Sequence, residues 1–121
     1  MAIDIAYATG SGVTVTNTET SLGEDGGTTT GVPVARTDEG MFSLWLDGVA
    51  NMVKGDEYKI RIYEKARSGG TVRLIFVATI SDAQSEMFVT PPLLLGVGWD
   101  MTLQRISATS RAFDWSVRRI F

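Results

Sequence analysis

The side chains that could do chemistry are few in this sequence, and their spacing does not suit it. Histidine and cysteine are both absent. That excludes imidazole acid–base catalysis, thiolate nucleophiles, disulfides and zinc held by nitrogen or sulfur ligands. Paired acids, which glycoside hydrolysis requires, occur at Asp38–Glu39 and Asp56–Glu57. Both pairs stand beside glycine in turn-like sequence, where acids serve solvation and local hydrogen bonding. No motif sets a serine beside Lys54, Lys59 or Lys65, and Ser11 in Gly10-Ser11-Gly12 lacks the spacing of a nucleophile elbow. Phosphate-cradling glycine fingerprints are absent. Calcium could find oxygen ligands in Glu24-Asp25-Gly26-Gly27 or Asp38-Glu39-Gly40, but neither has the alternating acids of an EF-hand loop. No catalytic residue, metal ligand or cofactor is therefore expected, and the chain reads as a non-enzymatic protein that acts through its surfaces.

Arginine and tyrosine offer the better signal. Arg61, Tyr63, Arg67 and Arg73 lie on or beside one strand–turn–strand segment, and Arg118–Arg119 is the one adjacent basic pair. Both residue types are enriched at interfaces, because they combine large contact area with a polar handle. These six positions are the candidate interface. A solvated strand face with acidic neighbours such as Glu64 is the plain alternative. The net charge is −3 and the isoelectric point about 4.8, so a nucleic-acid partner is not expected. The longest apolar stretch, roughly Pro91 to Trp99, is far too short to span a membrane. The N-terminal Met1-Ala2-Ile3-Asp4 lacks the basic and apolar regions of a signal peptide.

The elements that must carry these residues are strands. The 121 residues suit one domain, and no long stretch shows a 3.6-residue apolar period. Short alternating runs separated by Gly, Asp, Asn and Ser predict an all-β antiparallel β-sandwich, jelly-roll or immunoglobulin-like, of about eight or nine strands. Residues 1–40 are expected to form a glycine-rich N-terminal arm with edge strands, inside a single 1–121 domain. In that part, Ile3–Tyr7 and Val13–Thr16 read as separate strands joined by a Gly10-Ser11-Gly12 turn. Gly23–Gly31 reads as a polar surface loop, or as an arm that orders only against a neighbouring subunit. Val32-Pro33-Val34 suits an edge.

Met41–Leu46 has few polar positions and is expected to be covered on both sides. Tyr58, Ile60 and Ile62 should face inward, with Lys59, Arg61 and Tyr63 outward. After a Lys65–Gly70 loop, the returning strand should put Val72, Leu74, Phe76, Ala78 and Ile80 on one face. Pro91-Pro92 must bend the chain. Trp99, Met101, Leu103, Phe113, Trp115 and Val117 are expected inside. A C-terminus of strand-like sequence, Trp115 to Phe121, suggests a docked last strand.

Two segments carry a resemblance. They are Gly55-Asp56-Glu57-Tyr58-Lys59-Ile60-Arg61-Ile62-Tyr63-Glu64-Lys65 with its Ser68-Gly69-Gly70-Thr71 turn, and Phe88-Val89-Thr90-Pro91 through Gly98-Trp99-Asp100-Met101-Thr102-Leu103 to Asp114-Trp115-Ser116-Val117-Arg118. Together, over residues 40–121, they resemble small virion proteins of tailed bacteriophages. The resemblance implies a structural role. With the size and the β-rich pattern, it implies a capsid decoration (cement) protein on the virion exterior. Such a protein binds major capsid subunits and forms a homo-oligomer, often a trimer. A tail, neck or fibre component is the alternative within that class. A carbohydrate-binding module is the alternative outside it, and would need Trp45, Trp99 or Trp115 exposed as a stacking platform.

Overall fold

The computed structural model describes residues 3–31 and 33–120. Nine strands run in chain order: β1 (Ile3–Val15), β2 (Thr20–Ser21), β3 (Gly40–Asp47), β4 (Glu57–Lys65), β5 (Val72–Ser81), β6 (Phe88–Val89), β7 (Leu93–Leu95), β8 (Asp100–Ser107) and β9 (Arg111–Ile120). Single 3-10 turns lie at Asp25–Gly27 and Val49–Asn51. One sheet has the order β1-β9-β3-β6, with β7 also on β3; the other has the order β2-β8-β4-β5. Every pairing is antiparallel. The β-sandwich expected from the alternating runs is what the chain forms.

Alternation sets the core. From the five-stranded sheet Phe42, Leu44, Leu46, Phe113, Trp115 and Val117 turn inward, and from the four-stranded sheet Tyr58, Ile60, Ile62, Met101 and Leu103 meet them; all are buried, as is Trp99 just ahead of β8. Phe42 and Trp99 pack with tilted rings, centres 4.4 Å apart, and Tyr58 meets Phe113 edge-on at 4.9 Å. Truncating such an aromatic to alanine costs about 3–5 kcal/mol. The buried polar ends have partners: Trp99 Nε1 donates to Asp38 O and Trp115 Nε1 to Leu22 O.

Three expectations are corrected. First, Gly10-Ser11-Gly12 is no turn. β1 is one 13-residue strand running through it beside β9. The glycines mark a bulge: the register shifts between Gly10 and Val13, and Gly12 has φ +61°. Second, Val72 and Leu74 do not share a face with Phe76. The β4–β5 register shifts between Ile62 and Tyr63, pairing Ile62 with Phe76 but Tyr63 with Leu74. Ile75 is the extra residue, and past it the parity inverts, leaving Leu74 47% exposed. Third, Met41–Leu46 is not covered on both sides. Phe42, Leu44 and Leu46 are buried, while Met41 is 40% exposed and Trp45 half-buried.

The polar N-terminal segment folds back on its own sandwich. Ser21 N–H donates to Thr29 O and Leu22 N–H to Met101 O. Glu24 accepts from Thr28 and Thr29, and Asp25 Oδ1 from Thr9 N–H. Leu22 and Gly27 are buried, with Gly27 close under Trp115. The edge expected at Val32-Pro33-Val34 lies partly outside the described residues. Pro33 and Val34 are not in a strand, and Val34 N–H donates to Asp100.

Candidate functional site

The six candidate interface residues do not converge. Arg61 and Tyr63 lie on the outer face of the four-stranded sheet, Arg67 in the β4–β5 loop and Arg73 near the start of β5. Arg118 stands on the outer face of the other sheet. Arg119 points to the inner side near one end of the sandwich, where its guanidinium lies 5.8 Å from the Tyr7 and Phe42 rings and donates to Glu39 O. One interface cannot use them all.

Arg61 and Tyr63 are also tied down. Tyr63 Oη and Thr102 Oγ1 both donate to Glu19 Oε2, Arg61 Nη1 donates to Gln104, and Arg61 lies 3.8 Å from Glu19. Burial, then the hydrogen bond to Glu19, pushes the Tyr63 phenol up to about 12. This group clamps the β2 approach onto β4 and β8, so its donors and acceptors satisfy one another.

The acids have structural work. Asp56, expected to be solvated at a turn, is instead buried. It accepts from Val53 N–H, Thr109 N–H and Arg111 Nε, and the Val53 bond foremost holds its carboxyl below the usual range. Asp38 accepts from Tyr7 Oη at 2.6 Å. Asp100 accepts from Ser21 Oγ, Val34 N–H, Met101 N–H and Arg36 Nε. Its burial outweighs these donors and raises its pKa. Among the described residues, no group of three acids is arranged to hold a metal ion.

A different surface stands out on the five-stranded sheet. Register pairs Met41 with Ile120 and Leu94, Ser43 with Arg118, Trp45 with Ser116 and Val89, and Ile3 with Ile120. These are the outward positions. They line a shallow, almost wholly apolar groove of about 280 Å³ whose walls include Ile3, Met41, Trp45, Val89, Arg118 and Ile120. Leu94 stands beside it, 80% exposed, and Ile3 is 63% exposed. The Arg118 guanidinium lies 3.7 Å from the centre of the Trp45 ring, so one cation sits at the middle of the apolar strip. An exposed contiguous apolar face on a sheet marks an interaction site far more often than scattered single residues do.

Of this face, only Arg118 is among the six residues that the sequence singles out. The missed signal was parity. Met41, Ser43 and Trp45 alternate with Phe42, Leu44 and Leu46, and an apolar residue at every other outward place need not be covered by the same chain. The expectation that Trp99 and Trp115 face inward holds, since both are buried, and the expectation that Trp45 lies on a strand covered on both sides fails.

The fold and this face define a β-sandwich with an exposed apolar groove on its five-stranded sheet. No protein-family model, curated protein or solved structure matches the chain.

Proposed function

We propose that this chain is a structural attachment domain that seats the outer face of its five-stranded sheet on another protein. The observation that carries this reading is the apolar groove, uncovered among the described residues, with Arg118 against the Trp45 ring in it. A complementary partner surface offers apolar side chains around a carboxylate. The sequence resemblance supplies the setting: the exterior of a tailed-phage capsid, with the major capsid protein as partner. In that role many modest contacts, multiplied by the symmetry of the shell, hold the subunits together. The virion parts of this reading rest on that resemblance.

Co-sedimentation with purified capsids tests it. Wild-type protein is expected to pellet with shells in many copies, and Leu94→Asp to stay in the supernatant while keeping its circular dichroism spectrum. Binding to tails in a few copies would move the protein to the neck or tail. No binding to particles, or equal binding by Leu94→Asp, would overturn the proposal.

The outward Trp45 keeps one rival in view. A carbohydrate-binding module needs a free aromatic platform, and Trp45 is on the surface, although Arg118 occupies one side of its ring. Titration of the protein with soluble polysaccharides, followed by tryptophan fluorescence, separates the two readings.

A further inference from the structure

Sheet edges are hazards that proteins usually blunt, and among the described residues three of the four edges here are blunted. β1 is broken by two register shifts; Asp4 Oδ1 takes the Ala6 N–H and Asp25 Oδ1 the Thr9 N–H. β6 and β7 have two and three residues and are separated by Pro91-Pro92. β2 has two residues and is bonded to the strip at Thr29–Thr30.

β5 is the exception. It has ten residues, ends its sheet, and contains no proline or lysine. Leu74, Ile75 and Val77 are 47%, 49% and 46% exposed along it. Alternate N–H and C=O groups of this strand point away from β4 with no described strand to receive them.

We infer that β5 is the pairing edge of a two-fold homodimer, in which it runs antiparallel to β5 of a second copy. Charge selects this occupant. Arg73 stands near the start of β5, and Asp82 follows its end. Arg73 has no ion pair among the described residues, and Asp82, just past β5 at φ +60°, donates its N–H to Asp56 O and accepts from Gly55 N–H through Oδ1. Antiparallel self-pairing centred on Ala78 sets Val77 opposite Thr79 and Phe76 opposite Ile80. With Ile75 as the extra residue, Leu74 then meets Ser81, and Arg73 meets Asp82. Symmetry makes that charge pair twice.

The dimer has a consequence for the docking face. A two-fold axis normal to the four-stranded sheet leaves both five-stranded sheets on the same side of it. The two apolar grooves then face one surface, and a weak single contact becomes bivalent. The dimer itself rests only on β5, so it stands or falls apart from the capsid reading.

Light scattering on the full chain during size exclusion tests the pairing. Wild type is expected at twice the chain mass of 13.1 kDa. Val77→Lys and Arg73→Asp should each run at the single-chain mass with an unchanged circular dichroism spectrum. Because the chain has no cysteine, the double variant Val77→Cys, Thr79→Cys gives an independent reading. Oxidation should convert it to a reducible covalent dimer, whereas Thr28→Cys should not cross-link. A monomeric wild type, a trimer indifferent to Val77→Lys, or an oxidised Val77→Cys, Thr79→Cys variant that stays monomeric would each overturn the inference.

Discussion

Arg36 Nε lies 2.9 Å from Asp100 Oδ1, and this pair, 64 residues apart in sequence, fastens the whole N-terminal strip to β8. Asp100 is fully buried. Arg36 also donates to Ser21 Oγ and approaches Glu24 at 3.8 Å. A buried carboxylate is tolerable only with its donors in place.

Arg36→Ala should therefore cost about 3–5 kcal/mol of unfolding free energy at neutral pH. Burial already raises the Asp100 pKa, and loss of the guanidinium raises it further. The variant can then relieve the buried charge by taking up a proton, so its deficit relative to wild type should narrow as the pH falls. Urea melts of both proteins at neutral and acid pH check this; a deficit that widens in acid would contradict it.

Gly10 is required by contact, not by backbone conformation. A methyl group there would run into the Trp115 indole, which is held from the other side by its bond to Leu22 O. Gly10→Ala should cost about 1–3 kcal/mol, the usual range for overpacking, and Gly12→Ala should be costly for a different reason, its φ of +61°. Relaxing the first contact with Trp115→Phe should recover part of the Gly10→Ala loss and none of the Gly12→Ala loss.

The tyrosines set an alkaline limit. Tyr7 and Tyr63 are each pushed up to about 12, first by burial and then by bonds to Asp38 and Glu19, and burial raises Tyr58 as well. A phenol whose folded pKa exceeds its unfolded value near 10 contributes stability that is whole below pH 10. That contribution is lost as pH rises from about 10 to about 12. Tyrosinate absorbance should stay flat through pH 10 and rise together with unfolding. A normal tyrosine titration in folded protein would refute this.

Of the three tryptophans, Trp45 alone should be reachable by a neutral soluble quencher. Partial quenching is expected, with Trp45→Phe abolishing it and Arg118→Ala increasing it by uncovering the ring. Exposed cation–π contacts are worth about 0.5–1 kcal/mol, so Arg118→Ala should barely shift the melting temperature.

Much of the fold was legible because alternation is a local property. Tyr58, Ile60 and Ile62 on β4, Met101 and Leu103 on β8, and Phe113, Trp115 and Val117 on β9 are all buried as their spacing predicts. The errors fall where one residue too many enters a strand. Ile75 inverts the face of Leu74, and the Gly10–Val13 shift carries β1 through a sequence that looks like a turn. A bulge has no local signature beyond glycine or a plain apolar residue, since the partner strand defines it.

The candidate site was harder to see. Six arginine and tyrosine positions stand out in the sequence for their chemistry, but the fold scatters them over opposite faces and gives Arg61 and Tyr63 partners within the chain. The composition and the two-residue period determined by themselves that this chain is a sandwich of strands without thiol or imidazole chemistry. Which outward face stays bare and which edge stays open among the described residues, and where the acids find their donors, was decided only in three dimensions. Covering a surface depends on strands distant in sequence, and one residue cannot record what will lie beside it.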